Sequence, residues 1–155
     1  MSPMQTIQAP ITGREVTGDA GEPVAALAQF YRAITGRDLA LMAENCDHSK
    51  DVAMDNPLGG VKRGGPKISA VHERIFQSPA QVQVEFYDYT LHVIAEVFYA
   101  VGRERGTFAE SGTKLNLAIR ISRIFRRVGD RWRQIHHHGS IDDPQLLSAY
   151  QQAVS

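Results

Sequence analysis

The apolar residues of this chain change their spacing at Ser78-Pro79, and that change limits the fold more than any other feature of the sequence. Before Ser78-Pro79 they recur at helical intervals; from Val82 onward they alternate with polar residues. A spacing near 3.6 keeps one face of a helix dry and a spacing of 2 does the same for a strand, so the chain is helical first and extended afterwards. Four β-like stretches follow one another at 82–92, 93–105, 115–128 and 132–141, with Gly or charged residues between several of them. Neighbours this close in sequence pair as an antiparallel meander. The order is helices, a short strand, a helix, four strands and a last helix, without βαβ alternation. The expected class is α+β, with a few helices closing over a strongly curved antiparallel sheet and enclosing a pocket.

The helices can be read one by one. Pro23 suits a first helical turn, and Val24, Leu27, Ala28, Tyr31 and Ile34 follow on one stripe, with Gly36 as the stop. Asp38 can cap a shorter helix whose Leu39, Met42, Ala43 and Cys46 share a face, which makes Cys46 a core residue. Val52, Ala53 and Met54 read as a short strand closed by the turn-forming run Asp55-Asn56-Pro57-Leu58-Gly59-Gly60. Pro66 opens a third helix with Ile68, Val71, His72 and Ile75 on one stripe, and Pro144 starts a C-terminal helix carrying Leu146, Leu147, Tyr150 and Val154. Residues 1–21 show no sustained apolar period and are expected to form a flexible arm outside the core.

Composition bounds the partners. A chain of 155 residues fits one domain with a continuous core. Lys plus Arg equals Asp plus Glu at 17 each. With a formal charge of zero, no global field draws the protein to nucleic acid or to an anionic membrane, and neither is expected as a partner. The six arginines between Arg120 and Arg133 divide between two strand faces, which suits a solvated hairpin. No apolar run approaches the roughly 20 residues of a membrane helix. The single Cys46 excludes an intramolecular disulfide, and the opening residues lack the basic and apolar regions of an export signal, so the cytoplasm is the expected location. Gly59-Gly60 and Gly64-Gly65 match no phosphate loop and no Ser or Cys sits in a nucleophile motif, so no cofactor is expected.

The informative residues are polar ones in apolar places. Along one strand the odd positions read Leu115, Leu117, Ile119, Ile121, Arg123, Phe125, so Arg123 projects from a face that should be buried. On the strand before it, Arg103 follows Val97, Tyr99 and Val101 on the same side. A buried guanidinium needs a carboxylate, water or a bound anion, and an internal ion pair with Asp55, Glu85, Asp88 or Glu104 competes with an anion site. His72 lies in the helix stripe that faces the sheet, where desolvation and nearby arginines should lower its pKa. Together the three favour a polar-lined pocket. His136 and His138 share one strand face and His137 takes the other, so at most two can ligate one ion and no metal is expected.

These residues fall within a wider pattern. From about residue 22 to 155 the chain resembles the SnoaL-like branch of the nuclear transport factor 2-like superfamily, and Trp132-Arg133-Gln134-Ile135-His136-His137-His138-Gly139-Ser140 is similar to the last strand of the association (hub) domain of calcium/calmodulin-dependent protein kinase II. Leu91-His92-Val93-Ile94-Ala95, Ala100-Val101-Gly102-Arg103 and Arg123-Ile124-Phe125-Arg126-Arg127 extend the likeness. The resemblance implies a cystatin-like cone over residues 22–155 and a pocket in which Arg103, Arg123 and His72 accept carboxylates. Gly139 stands where the hub pattern has another arginine, which implies a less positive and wider pocket.

Two functions stay open at this point. In one, the chain binds a compact organic anion, with Arg103 and Arg123 as the clamp, His72 as general acid or base, and Tyr99, Asp55 and His137 as further ligand-binding residues. If it is an enzyme, the chemistry is of isomerase or dehydratase type. In the other it is an association module with a structural pocket. A homodimer formed through the outer sheet face, with Trp132, His136 and His138 placed there by parity, is compatible with both.

Overall fold

The computed structural model describes residues 5–16, 19 and 21–154. Residues 1–4, 17, 18 and 20 of the expected arm lie outside the described residues. Helix α1 spans Pro23–Gly36 and α2 spans Leu39–Asn45. Pro23 opens α1 as expected, but its left-handed cap is Arg37, with φ 53°, one residue beyond Gly36. That side chain is held in return: Arg37 donates to the carbonyls of Phe76, at 2.8 Å, and Ser78, beyond the end of α3, Gly65–Gln77. Asp38 caps α2 by accepting from the Leu41 N–H at 3.0 Å.

Six strands make one curved, unclosed mixed sheet in the order β2-β1-β6-β5-β4-β3. Strands β3 (Gln81–Ile94), β4 (Val97–Glu110), β5 (Thr113–Val128) and β6 (Arg131–Ser140) form the antiparallel meander. The short β1, Ala53–Asp55, pairs parallel to β6, so the sheet is not wholly antiparallel. The two-residue strand β2, Lys62–Arg63, pairs with β1 in a segment the sequence presents as loop. The turn joining β4 to β5 places Ser111 and Gly112 at φ 50° and 83°, the doubly positive geometry that matches the twist of a tight hairpin.

Two interruptions decide which side chains face inward. Between Tyr87 and Thr90 the β3–β4 register shifts, with Asp88 at φ 49°. A second shift at Ile124/Phe125 leaves Ile135 unmatched on β6. That bulge puts Trp132 and Gln134 on the inner face while His136 and His138 point outward. Trp132 is therefore in the core, edge-on to Phe98, and is not part of the outer face to which its sequence parity assigned it.

The core lies between α1 and the concave face, with Leu27, Phe30, Tyr31, Phe86, Phe98 and Phe125 almost wholly buried. Each such side chain contributes roughly 1.5–3 kcal/mol. Part of the expected arm joins them: Ile11 is 2% exposed and bridges Phe86, and Ile7 bridges Tyr89. An isolated isoleucine flanked by Pro10 and Thr12 gives no periodic signal, yet it covers the edge of β3. Helix α4, Pro144–Val154, lies across the open end of the sheet with Tyr150 against Phe108. Among the described residues no helix is long and apolar enough to cross a membrane.

Candidate functional site

The concave face, α1, α3 and α4 enclose a cavity of about 100 Å³, room for a molecule of about seven to ten non-hydrogen atoms at ~10–15 Å³ per water-sized group. Its walls are apolar, from Phe30, Val71, Leu117, Ile119 and Ile121 among others. The polar groups that reach it are few: Arg123 and Glu104 on β5 and β4, His137 on β6, His72 on α3, Tyr150 on α4, and Asn56 after β1.

Arg123 is 2% exposed and its partners are all internal. Its Nη2 donates to Glu104 Oε2 at 2.7 Å, its Nη1 to Gln134 Oε1 at 2.7 Å, and its Nε to the Tyr31 hydroxyl at 3.3 Å. Tyr31 in turn donates to Glu104 Oε2 at 2.6 Å, and the guanidinium carbon lies 3.6 Å above the Phe30 ring. Gln134 continues the network to Asn45, which donates to the Ala26 carbonyl. Burial and this pairing hold the site in one charge state: the Tyr31 hydroxyl is pushed well above its ordinary range, chiefly by desolvation. Two of the five guanidinium N–H groups remain for the cavity that Arg123 lines.

The two cavity histidines contrast with this network. Neither ring of His72 nor that of His137 makes a hydrogen bond among the described residues, and His72 is 6% exposed. Burial first, and then the Arg123 charge, lower the pKa of His72 to about 4. Desolvation, Arg123 and His72 hold His137 well below the ordinary histidine value. Both are neutral near pH 7. Tyr150 is pushed up to about 12 by burial and by Glu104, so it is present as the phenol.

The other expected site residues lie elsewhere. On β4 the inward residues are Phe98, Ala100, Gly102 and Glu104, registered against Phe125, Arg123, Ile121 and Ile119. Tyr99 and Arg103 therefore face outward. Tyr99 stacks on His92 with ring centroids 4.4 Å apart, and Arg103 pairs with Asp88 at 3.2 Å while remaining 53% exposed. The structure therefore does not bring Arg103 and Arg123 to one cavity, and because β4 carries apolar residues on both faces, parity alone does not say which face is dry. Asp55 also points outward, with His138 Nδ1 at 2.6 Å from Oδ2 and His136 Nε2 at 3.7 Å from Oδ1. What the sequence reading used only as an ion-pair partner, Glu104, lines the cavity; the signal was a lone acid in phase with Phe98, Ala100 and Gly102. Cys46 caps α2 and its thiol is pushed up to about 11 by burial, which makes it a poor nucleophile.

Helices packed on the concave side of a curved, unclosed sheet are the fold of a known family. The profile of the SnoaL-like domain matches residues 24–144. The chain belongs to the SnoaL-like family. Solved structures with this fold include a candidate dehydratase of the NTF2-like family from Streptomyces avermitilis, at TM-score 0.69 and 19% identity over 75% of this chain and 90% of that one. A candidate calcium/calmodulin-dependent protein kinase type II association domain from Thiobacillus denitrificans aligns at TM-score 0.66 and 23% identity, over 82% and 100% of the two chains. The association domain of C. elegans CaMKII follows at 0.63 and 19%, over 76% and 92%. At these identities the likeness is one of fold. No curated protein matches the chain. Gly139 of this SnoaL-like domain lines the cavity, and a Cβ there would meet Pro57 Cδ at 3.1 Å and Ile119 Cγ2 at 3.4 Å. The space is filled by neighbours, so the missing side chain does not widen the cavity as its sequence suggested.

Proposed function

We propose that this SnoaL-like domain binds a compact organic acid, with the carboxylate directed at His72, His137 and the free N–H groups of Arg123. One observation carries the reading: two imidazoles without a hydrogen-bond partner among the described residues face a cavity beside a guanidinium. Imidazole nitrogens that no protein group satisfies and that are not sealed by protein are available to a ligand in the cavity they line. The apolar walls fit a short carbon skeleton. Because Glu104 balances Arg123, the charge that a carboxylate needs comes from the histidines, and binding takes up a proton. Proton transfer of isomerase or dehydratase type is the chemistry such groups would serve. Calorimetry with butyrate in buffers of different ionisation enthalpy tests this. The expected result is buffer-dependent heat between pH 6 and 8 and weaker binding as pH rises. Binding that neither varies with buffer nor changes in His72→Gln and His137→Gln would overturn it.

A second reading, an association module, rests on the outer sheet face. Ile94 and Val101 are 63% and 44% exposed there, with Val97, Tyr99 and Ile124 half-buried around them. We propose that a second copy of the chain covers this face, which leaves the cavity free on the other side. The lone unpaired Cys46 suits a reducing compartment such as the cytoplasm.

A further inference from the structure

Both donors to Glu104 converge on one oxygen. Tyr31 reaches Oε2 at 2.6 Å and Arg123 reaches the same Oε2 at 2.7 Å, and among the described residues no donor reaches Oε1. Asp55 Oδ1 is the one side-chain oxygen or nitrogen among the described residues that is sealed by protein and left unpaired. Glu104 Oε1 is unpaired without being sealed, and Glu104 lines the cavity. The residue is 6% exposed and lines the cavity, so the cavity is the side from which a donor can reach that oxygen.

We infer that the ligand is a short hydroxy acid whose O–H donates to Glu104 Oε1, an assignment that rests on the organic-acid reading above. A carboxylate oxygen only accepts, so its partner must be a donor. Arg123 already balances the Glu104 charge, so a neutral hydroxyl fits where an ammonium would meet the guanidinium. The polar groups also come in two kinds: acceptors seeking a donor at Glu104, and imidazoles with the Arg123 N–H groups that receive an anion. A ligand bearing both functions on a skeleton of a few carbons satisfies both. Its deoxy analogue seals Oε1 without a donor, which is how a polar site rejects a ligand lacking one hydroxyl.

Calorimetry at pH 6 compares 3-hydroxybutyrate with butyrate, and the neutral pair 1,3-butanediol with 1-butanol. The hydroxy acid is expected to bind at least about tenfold more tightly than butyrate. Glu104→Gln can keep its oxygen on Tyr31 and Arg123 while turning an N–H into the cavity, and should lose that preference and favour acetoacetate. Glu104→Gln combined with Arg123→Gln leaves no unpaired charge and should lose it as well, which covers a single variant that does not fold. Equal binding of butyrate and 3-hydroxybutyrate sinks the hydroxyl assignment and leaves the organic-acid reading. Diol preference without binding of either acid supports the Glu104 acceptor and sinks the organic-acid reading, and with it the hydroxy-acid assignment. A preference that survives both variants, or no binding of any compound, overturns the inference.

Discussion

Arg123 and Arg103 look alike in the sequence and sit in opposite physical situations. Arg123 is 2% exposed and shares its charge with Glu104, whereas Arg103 meets Asp88 at the surface. Removing one member of a buried pair leaves the other charge without a partner, so Arg123→Met should lower stability by about 3–5 kcal/mol. Arg103→Met should leave both the urea midpoint and butyrate binding unchanged, because a solvated pair is screened. Urea unfolding of the two variants reads the contrast directly, and loss of ligand binding in Arg103→Met would restore the two-arginine clamp. His72 was legible as a helix-stripe histidine facing the sheet. Its titration has a definite sign. Its folded pKa of about 4 lies below the ordinary 6.5, so the unfolded chain binds the proton more readily. Stability is then full above about pH 6.5 and falls by about 3 kcal/mol as pH drops to about 4. His137 acts in the same direction. Unfolding curves across that window should be flatter for His72→Gln than for the parent.

At the scale of elements, periodicity located the long helices and the four-strand meander because both rest on apolar faces repeated over many residues. Bulges carry no such signal. Ile135 inverts the parity of β6, so Trp132 turns inward with Gln134 while His136 and His138 turn outward, and a period of 2 cannot announce that. Face choice on β4 failed for a related reason: Val97, Tyr99 and Val101 are as apolar as Phe98, Ala100 and Gly102, so Glu104 and Arg103 exchange roles depending on which face is buried. The short β2 has only Lys62 and Arg63 and offers no pattern. Close approach of strands makes one further claim testable. A Cβ at Gly106 would lie 1.8 Å from the Gln83 carbonyl oxygen, in the backbone of β3. Since backbone cannot swing aside as a side chain does, Gly106→Ala should cost about 1–3 kcal/mol or more and disturb the β3–β4 pairing. A urea midpoint equal to that of the parent would show that the strands part at that point.

At the scale of the whole molecule the two faces of the curved sheet are in different situations. Its concave side is closed by α1, α3 and α4 around the cavity, while its convex side carries Ile94, Val97, Tyr99, Val101 and Ile124, of which Ile94 and Val101 stay exposed among the described residues. An antiparallel sheet can face water on one side when that face is polar, and here the centre of the face is apolar. Covering it with a second copy of itself is the arrangement a two-fold axis allows, since the same patch then meets itself. We therefore expect a dimer at micromolar concentration. Val101→Glu, near the middle of the patch and 44% exposed, places like charges against each other across such an axis and should give monomers by light scattering. The neighbouring inward residues, Ala100 and Gly102, keep their contacts, so the cavity and its response to butyrate should persist in the monomer. A parent protein that is monomeric at that concentration would exclude the interface. A Val101→Glu monomer that no longer binds would mean that the two faces of the sheet are energetically coupled and that assembly helps to form the cavity.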